Sequence, residues 1–600
     1  MSEDDRGFGG EERNAKDEVS RRTFLRLGAI AGAGAPLAGL LGDKMAAAAD
    51  LDVETEPAHH AFSVVEASIA DMQAAMTKRQ VTSLDLVNQY LGRIATLDQA
   101  GPRVNSVLEL NPEARKIARA LDFERKHQGP RGPLHGIPVM LKGNIDTGDQ
   151  MGTTAGSLAL VGPPAPQDAT VAARLRAAGA VILGKTNLSE FANFRGNNSS
   201  SGWSGQGGQT GNPYVVDRNP CGSSSGSGAS ATASFVAAGL GTETDGSIVC
   251  PGSLNGVAAI KPTVGLTSRA GVIPISHSQD TVGPHARSVA DAAAMLSALV
   301  GVDPRDPQTA ASAGKFSTDY TQFLDPNGLH GARIGVWRHT TTGYSRETDR
   351  IFEDALAAMA DAGAILVDPA DIPTVDALNA TSDEITVLIY EFKRDLNAYL
   401  ATRNGLPVKT LADIIAFNNA HAAQELQFFG QELLEFAEEE IFSASDYAAA
   451  LAEGPVLAGP MGIDAILTAQ NLDALVAPTG SPAWPTDEVN GDHFTGASSG
   501  MSAVAGYPIV NVLGGYSFGV LPVGISFFGT AYSEGKLIKL AHSFEQHTNL
   551  RKPPTFLRTL PLPGPSGAKS AASSPGATRF ENLLDRLTSI PKARPILRYL

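Results

Sequence analysis

Apolar positions recur every three or four residues near the start of the chain. Ile69, Met72 and Met76 share one face downstream of Ser63-Val64, and Leu84, Val87, Leu91 and Ile94 share another. These spacings predict two amphipathic helices, the second over 83–97. The pattern then alternates. Thr170 is placed to cap a helix over 171–178, Gly179 to end it, and Val181-Ile182-Leu183 reads as a buried strand. Residues 332–337 predict a strand. Residues 348–362 predict an amphipathic helix carrying Ile351, Phe352, Ala355, Leu356 and Met359, and 364–367 a further strand. Apolar runs recur at 472–477 and 523–528, and the small, apolar stretch 229–240 predicts a buried helix. Residues 380–460 read as a helix-rich covering subregion. Such alternation predicts an α/β architecture, a largely buried sheet covered by helices.

The two ends depart from this pattern. After a polar start, Ser20-Arg21-Arg22-Thr23-Phe24-Leu25-Arg26 precedes an apolar Gly/Ala-rich run from Leu27 to Gly42, and Ala46-Ala47-Ala48-Ala49 offers small residues for cleavage. This resembles a twin-arginine export signal over 1–49, with an apolar run short of the roughly 20 residues that span a bilayer. The expectation is a periplasmic or secreted protein that uses the twin-arginine export machinery and has no stable membrane anchor. No repeat or internal membrane span is evident. Residues 561–578 are Pro, Gly, Ser and Ala and read as a linker, so 561–600 is a linker with a short amphipathic tail.

Composition narrows the classes. Hydrophobic residues at 42% and charged residues at 18% are a globular balance. A net charge of −16 excludes a protein built to bind a phosphate backbone, so no nucleic-acid partner is expected. Cys221 and Cys250 are too few for a disulfide framework and are expected to be two small buried thiols. No His/Asp/Glu cluster at metal-ligand spacing is found, and His59-His60 falls in the leader of the mature chain.

Three segments carry candidate chemistry. Lys142 ends Gly136-Ile137-Pro138-Val139-Met140-Leu141-Lys142. A serine tract runs Cys221-Gly222-Ser223-Ser224-Ser225-Gly226-Ser227-Gly228, and a turn runs Gly241-Thr242-Glu243-Thr244-Asp245-Gly246-Ser247. The tract lacks the Gly-Lys-Ser/Thr ending of a phosphate loop and any GxGxxG spacing, and Ser247 lacks the Gly-x-Ser-x-Gly elbow of α/β-hydrolases. Lysine is protonated when exposed, so it serves as a base only where burial lowers its pKa.

Together these segments resemble the amidase signature family. Ser223 and Ser247 stand 24 residues apart, as the family's two serines do. Gly207-Gly208-Gln209-Thr210-Gly211-Asn212-Pro213, Lys261-Pro262-Thr263-Val264-Gly265, Ser278-Gln279-Asp280-Thr281-Val282-Gly283-Pro284, Gly506-Tyr507-Pro508 and Leu521-Pro522-Val523-Gly524 extend the similarity over roughly 60–550. The resemblance implies one domain over 60–560, with a large mixed central sheet covered by helices on both faces. It implies Ser247 as nucleophile, Ser223 as relay after a cis Gly222–Ser223 peptide, and Lys142 as base. Backbone amides of Thr244, Asp245, Gly246 and Ser247 would hold the oxyanion, and Ser224 would orient the relay. No cofactor is implied, and the assembly is expected to be a monomer or homodimer.

Two departures bear on substrate. Lys142-Gly143-Asn144 replaces the family's frequent Lys-Asp-Asn. Val249 and Cys250 stand where several relatives carry an arginine that suits acidic substrates. The surrounding motifs are similar to those of bacterial peptide amidases, which implies release of ammonia from C-terminal carboxamides of peptides or from N-acyl amino-acid amides. The alternatives are a broad aryl or acyl amidase, one acting on nylon-type oligomers, the amidase subunit of a tRNA-dependent amidotransferase, and a non-catalytic binding protein.

Overall fold

The computed structural model describes residues 62–561. The expected export signal, and the tail from residue 562 on, lie outside the described residues. Among the described residues thirteen strands form. In chain order they are β1 Val107–Leu110, β2 Pro138–Lys142, β3 Val181–Thr186, β4 Trp203–Ser204, β5 Gly208–Gln209, β6 Ala238–Glu243, β7 Ala258–Lys261, β8 Thr281–Ala286, β9 Arg333–Val336, β10 Ile365–Val367, β11 Ala474–Pro478, β12 Ile509–Ser517 and β13 Leu521–Phe528. Strands β4 and β5 pair as a small ribbon. The other eleven form one mixed sheet in the order β1-β3-β2-β6-β8-β7-β12-β13-β11-β9-β10. Strand β2 runs parallel to both β3 and β6, and β6 turns antiparallel to β8. Every residue of β2, β3, β6, β11 and β13 is buried, which explains the apolar runs within them. The sheet is flanked by helices, as expected.

Several boundaries differ from expectation. The first described helix is Ile69–Thr77, and its cap is Ser68. Ser68 and Asp71 form a reciprocal capping box. Thr82 and Asp85 cap Ser83–Arg93 in the same way, and the chain then widens into a π turn, Ile94–Asp98. Thr170 is the first residue of the helix Thr170–Ala177 instead of its cap. Its hydroxyl donates to Asp303 Oδ2 at 2.5 Å.

The largest correction concerns 229–240. The helix there is Ser225–Thr232, residues 233–237 turn, and the stretch ends in strand β6 from Ala238 on. The serine tract itself supplies the helix. All eight of its residues are buried and small, so its backbone lies close against the sheet. A Cβ at Gly226 would run into the carbonyl oxygens of Ser106 and Asn187. Ser227 Oγ donates to the Leu240 carbonyl of β6 at 3.0 Å, joining helix to strand.

The helix-rich region is present as Asp383–Ala401, Leu411–Ala420, Ala422–Glu425, Glu432–Glu438 and Ala444–Ala458. It packs a separate apolar cluster against Leu188, Phe191 and Phe194. Counted through its π turn, Ala444–Ala469 is the one described helix long and apolar enough to cross a membrane, which the sequence reading did not anticipate. It carries Pro455 in its interior and packs on Asp383–Ala401 and Gly500–Ala505.

Candidate active site

Three adjacent pieces of backbone meet at the ends of β2 and β6. Lys142 closes β2 and is fully buried. Its Nζ lies 2.7 Å from Ser223 Oγ and 2.8 Å from Thr242 Oγ1, and donates to the Thr242 carbonyl at 3.3 Å. Asn144 Nδ2 donates to the same Thr242 hydroxyl at 3.0 Å, so the threonine is held from two sides. Ser223 follows a cis peptide bond from Gly222, as expected, and its carbonyl accepts from the Ser189 amide at 3.1 Å.

Ser224 ties the tract to both strand and turn. Its hydroxyl donates to the Thr242 carbonyl at 3.0 Å, and its amide donates to the Ser247 carbonyl at 3.2 Å. Ser247 is 7% exposed, whereas Lys142 and Ser223 are sealed. No hydrogen bond joins the Ser223 and Ser247 hydroxyls among the described residues; the two segments meet through Ser224.

The turn leaves donors free. The amides of Asp245, Gly246 and Ser247 find no internal acceptor among the described residues, and Gly246 takes φ +75°. Glu243 Oε2 accepts the next two amides, Ile248 at 2.6 Å and Val249 at 3.0 Å, which fixes the turn from behind. Such converging amides can stabilise developing negative charge.

Electrostatics favour a neutral base. Burial lowers the Lys142 pKa to about 7, with Asp280 and Glu243 pulling weakly the other way. Asp280 is itself pushed up to about 6 by burial and accepts from Thr244 Oγ1 at 2.6 Å. His285, pushed down to about 4 by burial, stays neutral and donates Nε2–H to the Ile248 carbonyl at 2.8 Å. Asp245 and Glu384 lie near each other. Burial raises both pKa values, and the Asp245 charge raises that of Glu384 further, to about 8.

Lys142, Ser223, Ser224, Thr244, Asp245, Gly246 and Ser247 are therefore brought together. Sequence reasoning missed Thr242, Asn144, Asp280 and Glu243. Thr242 and Glu243 stand within the quoted turn, but nothing in a Gly-Thr-Glu string distinguishes a lysine's partner from a solvated hydroxyl. Gly143 has a steric reason. A Cβ there would lie 3.0 Å from Leu108, 3.1 Å from Leu188 and 3.2 Å from the Thr186 carbonyl.

Two further expectations change. Cys221 and Cys250 are not free thiols but form a disulfide. A buried pairing of this kind depends on which loops meet, which cysteine count alone does not reveal. Folding also brings His277 to Glu391 and Asp395, one turn apart on the helix Asp383–Ala401, with ligand atoms within 4.8 Å. Hydrogen bonds to Asp395 and Glu391 push the His277 pKa up to about 9, so at neutral pH its ring is a cation. The Arg394 guanidinium lies 3.6 Å from Glu391, and the cluster is an ion-pair network. A cavity of about 220 Å³, with Gln279 and Glu384 in its lining, lies near the turn. It is not lined by Lys142, Ser223 or Ser247.

Comparison with known proteins places the chain in a family. A model of the amidase family matches residues 85–538. The chain belongs to the amidase family. A probable amidase of Arabidopsis thaliana is 43% identical over 504 residues, covering 83% of this chain and 93% of the relative. One subunit of the glutamyl-tRNA(Gln) amidotransferase of Cupriavidus metallidurans is 31% identical over 529 residues, covering 81% and 98%. Among solved structures, a peptide amidase in complex with the competitive inhibitor chymostatin superposes with TM-score 0.79 at 52% identity, covering 82% of this chain and 99% of that one. The native peptide amidase of Stenotrophomonas maltophilia gives 0.78 at 52% identity, with the same coverage. The chain is an amidase-family hydrolase of the peptide amidase type.

Proposed function

We propose that this amidase is an exported enzyme that releases ammonia from neutral carboxamides, the C-terminal amides of peptides or of N-acyl amino acids. The observation that carries the mechanism is the 2.7 Å approach of a sealed Lys142 Nζ to Ser223 Oγ. Neutral Lys142 takes the Ser223 proton as Ser223 takes that of Ser247. The Ser247 oxygen bonds to the carbonyl carbon while the turn amides hold the oxyanion. Ser223 then returns a proton to the nitrogen, the C–N bond breaks and ammonia leaves. Water attacks the acyl-enzyme by the same relay in reverse. Val249 and Cys250, one sealed and the other in a disulfide, present no cation to a substrate carboxylate, which favours a neutral amide.

Ammonia release from a panel of peptide amides, simple aliphatic amides and aryl amides tests the substrate class, and turnover of only the small amides refutes it. Ser247→Ala is expected to lower kcat by at least about 10³-fold, and retained turnover refutes its role. The similarity to an amidotransferase component supports a second reading, glutamine hydrolysis for a partner enzyme. Glutaminase activity without peptide-amide hydrolysis would favour it. Export rests on the Arg21-Arg22 leader. N-terminal sequencing of extracytoplasmic protein should begin near residue 50, and a chain still starting at Met1 overturns this.

A further inference from the structure

Cys221 stands two residues before Ser223, and Cys250 three residues after Ser247. Their disulfide, with Cα atoms 5.9 Å apart, joins the two segments that bear the serines. Each cysteine is fastened to its own segment. The Cys250 amide donates to the Gly246 carbonyl at 2.8 Å, so its sulfur moves with the nucleophile's turn. On the other side, Ser225 Oγ donates to the Cys221 carbonyl at 2.6 Å, and Asn219 Oδ1 accepts from the Cys221 amide at 2.8 Å. Cys221 also takes φ +57°, in the left-handed region that side-chain-bearing residues avoid.

Apart from the disulfide and the Ser224 hydroxyl, which donates to the Thr242 carbonyl at 3.0 Å and accepts from the Thr242 amide at 3.2 Å, few links run between these segments. One is the Ser224 amide to the Ser247 carbonyl at 3.2 Å, near the long end of the hydrogen-bond range. Another is the Asn255 side-chain amide to the Pro220 carbonyl at 2.9 Å. Lys142 differs from the serines because it sits on a strand paired on both sides. The base is held within the sheet, whereas the two serines lie beyond strand ends, and their approach depends on the Ser224 bonds, loop contacts and one covalent bond.

We propose that the Cys221–Cys250 disulfide is a positioning element for catalysis, holding Ser223 against Ser247 so that proton transfer between them can occur. The idea rests on the Ser247–Ser223–Lys142 reading. It assigns the oxidised pair a role in reactivity beyond stability. A disulfide closing a loop of this length stabilises a fold whatever its neighbours do, so lost thermal stability discriminates nothing. The discriminating quantities are kcat, KM and the rate at which a fluorophosphonate labels Ser247, all measured well below the unfolding transition.

The experiment compares wild type, Cys221→Ala/Cys250→Ala, and wild type reduced by a phosphine, with two free thiols confirmed by mass. The far-UV spectrum must stay native. Labelling rate and kcat are expected to fall together by on the order of 10²-fold, the scale of an ångström-sized misplacement, with KM within about twofold. Reoxidation of the reduced protein should restore both. Wild-type labelling and turnover in the double variant overturn the proposal. If that variant does not fold, the same result in the reduced wild type overturns it. Absence of any label on Ser247 in the oxidised enzyme instead defeats the triad reading, so the two failures are told apart.

Discussion

The pH dependence of the enzyme should be governed by Lys142. Burial takes its pKa from the ordinary 10.5 to about 7. That is a change of ~5 kcal/mol in the balance between its two protonation states. At pH 7 about half of the buried amine is neutral, against about 0.03% of an exposed one, a gain of roughly 10³-fold in competent base. The kcat/KM profile should therefore rise with pH through about 7 and level off above it. The stability consequence has a definite sign. Between about 7 and 10.5 the unfolded chain holds a proton on Lys142 that the folded chain lacks, so folding stability rises with pH across that window. The charge penalty is present in full below the folded value. Lys185 and Lys261, both lowered to about 8 by burial, contribute slopes of the same sign, so the Lys142 share must be read by difference. In Lys142→Met that share disappears. Wild type should gain about 2–3 kcal/mol relative to the variant between pH 7 and 9, at ~1.4 kcal/mol per pH unit. Urea unfolding at stepped pH measures this, and kcat/KM profiles measure the limb. Parallel stability curves for the two proteins, or an activity limb above pH 9, would refute the argument.

Asp280→Asn removes a negative charge that raises the Lys142 pKa, so the rising limb of kcat/KM should move to lower pH; a limb moved upward contradicts this. Gly241→Ala places a Cβ 2.7 Å from both Ser224 Oγ and His285 Cε1. It should cost about 1–3 kcal/mol in chemical denaturation and lower kcat by displacing the Ser224–Thr242 bond, and wild-type values would show that the backbone gives way freely. Thr242→Val deletes one Lys142 partner and the Asn144 acceptor. We expect kcat to fall at least about tenfold with KM little changed, and an unaltered kcat would show that Asn144 and the strand alone orient the lysine.

Much of the frame was legible because buried strands leave unbroken apolar runs. Val181-Ile182-Leu183 lies in β3 and 523–528 in β13, both buried throughout, and 332–337 spans β9, whose Ile334, Gly335 and Val336 are buried. The stretch 229–240 misled because Ala, Gly and Ser carry no periodic contrast. A helix flush against a sheet and the strand that follows it then look alike. The candidate site's residues were legible through the resemblance of three short segments and their spacing to a family pattern. Their partners were not. A threonine, an asparagine or an aspartate in a turn has the same letter whether it meets water or a lysine, and only the meeting of β2, β6 and the serine tract decides which. The cysteine pair shows the same limit, since sulfurs 29 residues apart in sequence are joined only by the folding of the loops that carry them.

The helix Ser225–Thr232 beneath the site contains only glycine, serine, alanine and threonine, all buried. A floor with no removable bulk offers evolution and the protein engineer almost no volume to trade. New specificity has to come from elsewhere, and the helices Asp383–Ala401 and Ala444–Ala458, which line the neighbouring cavity, offer larger side chains to vary. Laboratory libraries for altered amide preference are best spent there, while a randomised floor would return mostly unfolded chains.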